Sequence, residues 1–230
     1  MAAIQTERTA GVLVVTLDRP ASRNALTVEA LAALRDAIED ADAPVVALRG
    51  AGEAFCAGAD LETVEALDGE GAREFARQGQ QVADALADYD GATVAAVDGP
   101  ARGGGVELAL ACDLRVCSPR STFAESGVTL GLFGAWGGTG RLVETVGRSV
   151  ATDLSLSGRV LAAEEALRVG LVSRVVEDPL AVASEVADND ADAVRAIKRL
   201  LADRADHDRQ QARERAAFAD LVDARGKRKD

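Results

Sequence analysis

The stretch "ATVAAVDGPARGGGVELALACDLRVCSP", residues 92–119, contains the signals that decide the fold. It opens with an apolar run at 92–99 that is typical of a buried strand. Three consecutive glycines follow, then a short helical segment at 105–111 and a second strand pattern at 114–119. This alternation of strand, helix and strand predicts an α/β protein with parallel strand pairing.

The glycine-rich turn also suggests chemistry. The first N–H groups of a helix have no internal partner, and glycines let a ligand approach them closely. A carbonyl oxygen that gains negative charge would be stabilised there, and Glu107 in the same turn could move a proton. The alternative is a tight structural turn in which Glu107 is merely favourable at a helix N-terminus. This stretch alone leaves both interpretations open.

The same alternation continues on either side. Strand patterns occupy residues 11–18, 45–50 and 121–126, and amphipathic helical patterns occupy 27–41, with Thr27 as a candidate N-cap, and 72–89. Strand signals disappear from about Pro179 onward. We therefore expect an α/β core over residues 1–178 and a helical region over residues 179–230.

Composition narrows the class of protein. The net charge of −12 argues against nucleic acid as a partner, because phosphate contacts dominate that affinity. No uncharged apolar run reaches the length of a membrane span, and the N-terminus lacks the layout of a signal peptide. Three cysteines, an odd number in apolar or glycine-rich surroundings, favour reduced thiols and a cytoplasmic location.

Several chemistries are disfavoured by what the sequence lacks. The only histidine, His207, lies in a charged helical segment, so a Ser–His–Asp triad or a histidine-rich metal site is not expected. The cysteines show no metal-ligand spacing, and neither nucleotide-loop motif is present. Carboxylates and backbone amides remain as the candidate catalytic groups.

A second glycine-containing loop, "AFCAGADL" at residues 54–61, follows another predicted strand. Two such loops could supply the two N–H donors that an oxyanion hole requires. This loop and three further segments, all in the same order, resemble the crotonase superfamily of enoyl-CoA hydratases and isomerases. The further segments are "VAAVDGPARGGGVELALACDLRV" (94–116), "FAESGVTLGLFGAWGGTGRL" (123–142) and "LSGRVLAAEEALRVGLVSRVV" (156–176).

The resemblance implies a crotonase-like spiral of ββα units with a C-terminal helical region that assembles trimers or dimers of trimers. It implies an acyl-CoA thioester as substrate, with coenzyme A carried by the substrate and no separate cofactor or metal. The oxyanion hole would come from the N–H groups of Ala59 and Gly104, and Glu107 matches a catalytic glutamate. The positions that match the lining of the coenzyme A moiety are Arg23, Ala25, Ala57, Asp60 and Leu61.

The sequence departs from the hydratase pattern at the second glutamate, where Gly127 stands. Glu125 lies two residues earlier, and in an extended segment the two residues face the same side with Cα atoms about 6.6 Å apart. Glu125 could then replace the missing carboxylate. The alternative is that Glu125 is an ordinary polar residue and the second carboxylate is absent.

Three functions follow from these observations. The first is a 2-enoyl-CoA hydratase that adds water syn to a trans-2-enoyl-CoA, using Glu107 and Glu125. The second is another crotonase-type reaction, namely isomerisation, decarboxylation or thioester hydrolysis, which Gly127 favours. The third is a non-catalytic protein that binds coenzyme A, against which Glu107 beside intact glycines argues. Gly127, Phe133 and Trp136 are further candidates for the lining of the acyl pocket.

Overall fold

The computed structural model describes residues 2–202 and 207–227. Within these residues the chain forms nine strands: β1 (Ile4–Thr9), β2 (Val12–Leu17), β3 (Val45–Gly50), β4 (Ala92–Val97), β5 (Pro100–Arg102), β6 (Leu114–Cys117), β7 (Thr122–Ala124), β8 (Leu161–Ala162) and β9 (Arg174–Val175). The predictions that concern residues 203–206 and 228–230 and the side chain of His207 lie outside the described part.

The described helices alternate with these strands along the core. They are α1 (Val28–Glu39), α2 (Leu61–Glu65), α3 (Gly69–Asp88), α4 (Gly104–Ala111), α5 (Gly138–Ser157), α6 (Ala163–Arg168), α7 (Ala181–Ala187), α8 (Ala191–Ala202) and α9 (His207–Lys227). Thr27 caps α1 as expected, since its side chain accepts a hydrogen bond from the Ala30 N–H at 3.2 Å.

The larger sheet has the strand order β1-β2-β3-β4-β6-β9, and all of its pairs except the first are parallel. The predicted parallel α/β arrangement is therefore confirmed for the core of the sheet. The sequence pattern did not indicate β1, which pairs antiparallel with β2 through a two-residue turn. Its segment, "IQTERT", is almost entirely exposed and carries no apolar alternation.

A smaller three-stranded sheet, in the order β5-β7-β8, lies beside the larger one. The chain passes from β4 in the larger sheet to β5 in the smaller one and then into α4. It repeats this path through β6 and β7 towards α5. Each turn thus contains two strands and a helix, which confirms the predicted spiral of ββα units.

Alternation along the buried strands divides the core between the two faces of the larger sheet. In β2, the side chains of Leu13, Val15 and Leu17 join the main cluster with α1, α3 and α4. Val12 and Val14 join a second cluster that α7 covers. Both faces of the central strands are apolar, as expected for parallel strands with helices on each side.

The C-terminal helices α8 and α9 pack against each other beyond the sheet. Lys198 of α8 connects them to the core, because its Nζ donates to the Gly91 carbonyl at 3.0 Å and pairs with Asp113 at 2.9 Å. Among the described residues, no helix combines the length and apolar character needed to cross a membrane.

Candidate active site

The three glycines at the start of α4 serve three different purposes. Gly103 has a positive φ of 46°, a conformation that side chains rarely adopt. A Cβ at Gly104 would lie 2.2 Å from the indole ring of Trp136, and one at Gly105 would lie 2.4 Å from the Cys56 carbonyl oxygen. The turn therefore needs Gly103 for its backbone conformation. It needs Gly104 and Gly105 because the Trp136 ring and the Cys56 carbonyl approach the backbone closely.

The second loop, residues 57–60, meets this turn directly. Gly58 has a φ of 86°, and a Cβ there would lie 2.9 Å from the Gly104 nitrogen. Within the described part of the chain, the N–H groups of Ala59 and Gly104 donate no hydrogen bond. The structure thus brings together the two loops that the sequence singled out, and it leaves one N–H donor unpaired on each.

Asn24 supports this arrangement, although sequence reasoning did not identify it. Its buried side-chain amide donates to the carbonyls of Ala51 and Ala54 at 2.9 and 2.8 Å, and its oxygen accepts from the Arg19 N–H at 3.0 Å. These bonds hold the backbone that leads into the 57–60 loop. The only sequence signal was a polar amide directly before the apolar pair Ala25 and Leu26, which is weak evidence for a buried amide that needs hydrogen-bond partners.

Glu107 is almost fully buried, with 1% of its surface exposed. Its Oε1 accepts hydrogen bonds from the backbone N–H groups of Trp136 at 2.8 Å and Gly138 at 2.7 Å. Its Oε2 has no hydrogen-bond partner among the described residues. Burial raises the pKa of this carboxyl above its usual value, although the two N–H donors oppose the change.

The backbone fits closely around that carboxyl group. A Cβ at Gly134 would lie 2.6 Å from the Glu107 carboxyl carbon, and one at Gly138 would lie 2.4 Å from its Cγ. Gly134 and Gly138 of the segment "GAWGG" therefore leave the space that Glu107 fills. Because Oε1 is occupied by two donors, Oε2 is the oxygen that is available for chemistry.

Glu125 lies close to Glu107, and the two glutamates share a small cavity. Both glutamates line a cavity of about 40 Å³, which Phe133, Thr139 and Leu142 also border. The Oε1 of Glu125 is buried without a partner among the described residues. Burial, together with the charge of Glu107, raises the pKa of Glu125 to about 8.

The extended geometry assumed for Glu125 and Gly127 is wrong. Glu125 precedes a 3-10 helix, Ser126–Leu130, so Gly127 lies in a tight turn and not in a strand. Ser126 and Gly127 line a second, larger cavity of about 340 Å³. Glu125 lines only the cavity of about 40 Å³ when these two cavities are compared. A Cβ at Gly127 would lie 3.1 Å from both the Leu132 carbonyl oxygen and the Phe133 Cα. The backbone at residues 132–133 therefore leaves little space for a side chain at this position.

The larger cavity, about 340 Å³, is the candidate acyl pocket. Ala59, Gly104, Gly127, Phe133 and Trp136 all contribute to its lining, as do Ala57 and Leu61. Glu107 is the only ionisable side chain among the described residues that line it. An apolar cavity with two free N–H groups and one carboxylate is suited to a thioester whose carbonyl oxygen gains charge.

The remaining predicted contacts of coenzyme A differ in their exposure. Arg23 is exposed at the rim of the loops, whereas Ala25 is buried beneath it. Asp60 caps α2 by accepting from the Thr63 N–H, and it pairs with Arg19 at 3.0 Å. Asp60 thus has a structural role whether or not a ligand is present.

Arg102, which the sequence did not single out, lies near Arg23. Its guanidinium donates to the Thr122 carbonyl at 2.8 Å and to the Thr122 hydroxyl at 2.9 Å. Burial lowers the pKa of Arg102, and the nearby charge of Arg23 lowers it further. Two cations therefore lie close together beside the glycine-rich turn.

Comparison with known proteins places this geometry in context. A family model described as Enoyl-CoA hydratase/isomerase matches residues 7–229. A short-chain-enoyl-CoA hydratase of Clostridium acetobutylicum is 38% identical over 176 residues, which cover 74% of this chain and 67% of the relative. A crotonyl-CoA hydratase of Syntrophomonas wolfei is 37% identical over 169 residues, with coverage of 71% and 65%. The aligned segments thus span about two thirds of these curated relatives.

Solved structures agree with the fold over nearly the whole chain. An enoyl-CoA hydratase from Bacillus anthracis superposes with a TM-score of 0.89 at 30% identity, covering 96% of this chain and 91% of that one. The protein DspI of Pseudomonas aeruginosa superposes with a TM-score of 0.89 at 34% identity, covering 97% of each chain.

Proposed function

The chain belongs to the enoyl-CoA hydratase/isomerase family, and we propose that it is an enoyl-CoA hydratase. It adds water to the double bond of a trans-2-enoyl-CoA, with syn addition at C2 and C3. The observation that carries this proposal is the pairing of two unpaired N–H groups, at Ala59 and Gly104, with the free Oε2 of buried Glu107. Coenzyme A enters as part of the substrate, and the reaction uses no other cofactor.

The thioester carbonyl would sit between the Ala59 and Gly104 N–H groups. Addition of water at C3 makes that oxygen negative, as in an enolate, and the two donors stabilise the charge where it develops. One such donor is worth about 10²–10³ in rate. The start of α4 adds its dipole in the same direction.

Glu107 would perform proton transfer at the reacting carbons through Oε2. Its Oε1 is held by two backbone donors, so the carboxyl group is oriented before the substrate arrives. Its raised pKa brings the protonated and ionised forms closer in energy at neutral pH. A group that must both accept and donate a proton during the reaction needs both forms to be accessible.

Glu125 would supply the second carboxyl group from behind Glu107. The cavity that they share, about 40 Å³, has room for a water molecule. With a pKa of about 8, Glu125 holds a proton at neutral pH beside the Glu107 carboxyl group. The pair can then keep one proton available between the two unpaired oxygens.

Arg23 and Arg102 would hold the phosphates of coenzyme A. Burial and, to a smaller extent, the charge of Arg23 lower the pKa of Arg102, and an anionic ligand between the two cations would oppose the effect of Arg23. Ala25, Ala57, Asp60 and Leu61 would form the remaining rim, with Ala57 and Leu61 in the wall of the acyl pocket.

Isomerisation is the second candidate reaction. It is favoured by one observation, which is that Glu107 is the only ionisable side chain in the described lining of the larger cavity. A single base can move a proton between C2 and C4 without activating water. Decarboxylation needs a substrate with a carboxylate group, for which the described lining of the larger cavity offers no cationic side chain.

A product analysis separates these reactions. We expect purified protein and crotonyl-CoA to yield a product heavier by one water, as detected by mass spectrometry. A substrate with a 3-enoyl group tests isomerisation, because its product has unchanged mass and a new absorbance. Free coenzyme A would indicate hydrolysis, and unchanged substrate in every case would favour a protein that only binds. The Glu107→Gln variant serves as the matched control.

We further propose a homo-oligomer, trimeric or a dimer of trimers, that works in the cytoplasm. Exposed apolar side chains on α8 and α9, namely Ile197, Leu201, Phe218 and Val222, support a subunit contact at residues 179–230. Three free, buried cysteines support a reducing compartment.

A further inference from the structure

The side chains that line the larger cavity differ in exposure. Leu130 and Phe133 have 59% and 75% of their surface exposed. Phe75 and Trp136 are buried, with 6% and 3% exposed. The wall of the cavity therefore meets solvent at Leu130 and Phe133, and it is backed by the protein core at Phe75 and Trp136.

The indole of Trp136 fills the space between two helices at the buried wall of the cavity. A Cβ at Gly79 of α3 would lie 2.2 Å from the indole Cδ1 and Nε1. A Cβ at Gly104 of α4 would lie 2.2 Å from Cζ3 on the opposite side of the ring. Phe75 packs edge-on against the same ring, with centroids 5.9 Å apart and planes at 69°. The indole can move away from the cavity only if one of these residues moves.

The backbone of Trp136 is fixed independently of its side chain. Its N–H donates to Glu107 at 2.8 Å, and its carbonyl accepts from Arg141 at 3.1 Å. The preceding carbonyl of Ala135 accepts from Gln80 of α3 at 2.9 Å. Replacing the indole therefore changes the volume of the cavity while leaving the bonds that orient Glu107.

We propose that the Trp136 indole bounds the buried wall of the acyl pocket and limits the longest straight acyl chain that the protein accepts. The ring packs on Gly104, which carries one of the proposed oxyanion donors, so it takes up space close to the bound thioester. The volume that the ring leaves free then determines how many carbons of the acyl chain can be buried. Gly79 is the second determinant, since only glycine leaves room for the ring on the α3 side. This inference rests on the proposed function only in that the larger cavity is taken as an acyl-CoA site.

The test measures binding, so that it does not depend on turnover. Dissociation constants for butanoyl-, hexanoyl-, octanoyl- and decanoyl-CoA are determined by calorimetry for the wild type and for Trp136→Leu. In the wild type, we expect affinity to rise about fourfold per buried methylene and then to stop rising at a defined length. In Trp136→Leu, the rise should continue for at least two more carbons, so that the longest acyl-CoA gains tenfold or more.

Gly79→Ala provides the matched variant of opposite sign. Its methyl group pushes the indole towards the cavity, so the affinity limit should move to a shorter chain. In the double variant Gly79→Ala, Trp136→Leu, no indole remains to be displaced, and the limit should return to that of Trp136→Leu. Thermal melts establish that each variant folds, and if Gly79→Ala fails to fold, the Trp136→Leu profile decides alone.

The outcomes distinguish this inference from the proposed function. An identical chain-length limit in the wild type and Trp136→Leu overturns the role of the indole. The expected shift in binding, without hydration of any enoyl-CoA, supports the inference and refutes the hydratase assignment. Absence of binding at every chain length refutes both. Because Trp136 is the only tryptophan in the chain, quenching of its fluorescence by bound acyl-CoA gives a second readout in the wild type.

Discussion

Glu107 and Glu125 are close together, but their surroundings differ. Glu107 is oriented by two backbone donors and faces the larger cavity, whereas Glu125 has an unpaired oxygen in the smaller one. We expect Glu107→Gln to lower kcat for crotonyl-CoA hydration by about 10²–10⁴-fold with little change in the affinity for coenzyme A. The amide retains an oxygen for the two N–H donors, so the loss measures proton transfer. Unaltered turnover would mean that the catalytic carboxylate lies elsewhere.

Glu125→Gln tests whether the second carboxyl group takes part. If the two glutamates share one proton, this variant should also lose about 10²–10⁴-fold in kcat. The loss in the double variant should then be close to that of the more impaired single variant, because residues that act as one unit are not additive. Steady-state kinetics of the three variants provide the comparison. Wild-type rates for Glu125→Gln, combined with a large loss for Glu107→Gln, would favour isomerisation or another one-carboxylate reaction.

The raised pKa of Glu125 also predicts how stability depends on pH. The folded protein holds this proton up to a pKa of about 8, whereas an unfolded chain releases it near the ordinary value of 4.5. Between these two pH values the folded state therefore binds more protons than the unfolded state. The contribution of Glu125 to the unfolding free energy is fully present below pH 4.5 and is lost as the pH rises towards 8. One fully retained proton lowers the unfolding free energy by up to about 1.4 kcal/mol per pH unit. Urea unfolding between pH 5 and 8 should show a shallower decline in Glu125→Gln, and equal slopes would contradict the assignment.

At the scale of elements, the turn between β5 and α4 depends on how closely two loops approach. We expect Gly105→Ala to destabilise the protein by about 1–3 kcal/mol, since its methyl group would lie 2.4 Å from the Cys56 carbonyl oxygen. Activity should fall as well, because the same shift moves the Gly104 N–H. Gly140→Ala in α5 is the control: a Cβ there meets nothing within 4 Å, so its thermal midpoint should be unchanged or higher. Comparable midpoints for both variants would show that the turn can relax.

At the scale of the whole molecule, the C-terminal helices leave apolar side chains in solvent. Phe218 of α9 is 70% exposed, and Leu201 of α8 is 80% exposed. We expect Phe218→Asp to convert the oligomer to smaller species in sedimentation experiments, because a charge buried in an apolar contact is unfavourable. Gln211→Asp, which adds a charge at another exposed position of the same helix, should leave the assembly intact. A wild-type protein that sediments as a monomer at micromolar concentration would refute the proposed oligomer.

Much of the architecture could be predicted from local patterns. The runs at 45–50 and 92–99, the helix capped by Thr27 and the glycine-rich turn have periodicities or residue types that allow few alternatives. They determined the α/β class, and the order of four motifs identified the family. The sequence did not reveal β1, because an exposed edge strand makes its hydrogen bonds through the backbone and needs no apolar alternation.

The relative positions of Glu125, Gly127 and Trp136 could not be derived from local sequence patterns. Residue spacing gives the direction of a side chain only when the backbone conformation is known, and the chain enters a 3-10 helix at Ser126, not an extended strand. Glu125 therefore lines a small cavity together with Glu107, while Gly127 lines the larger cavity. Trp136 reaches its place because Gly79 and Gly104, on two separate helices, both leave room for the same ring. Sequence patterns record local preferences, whereas such an arrangement depends on the distance between elements that are far apart in the chain.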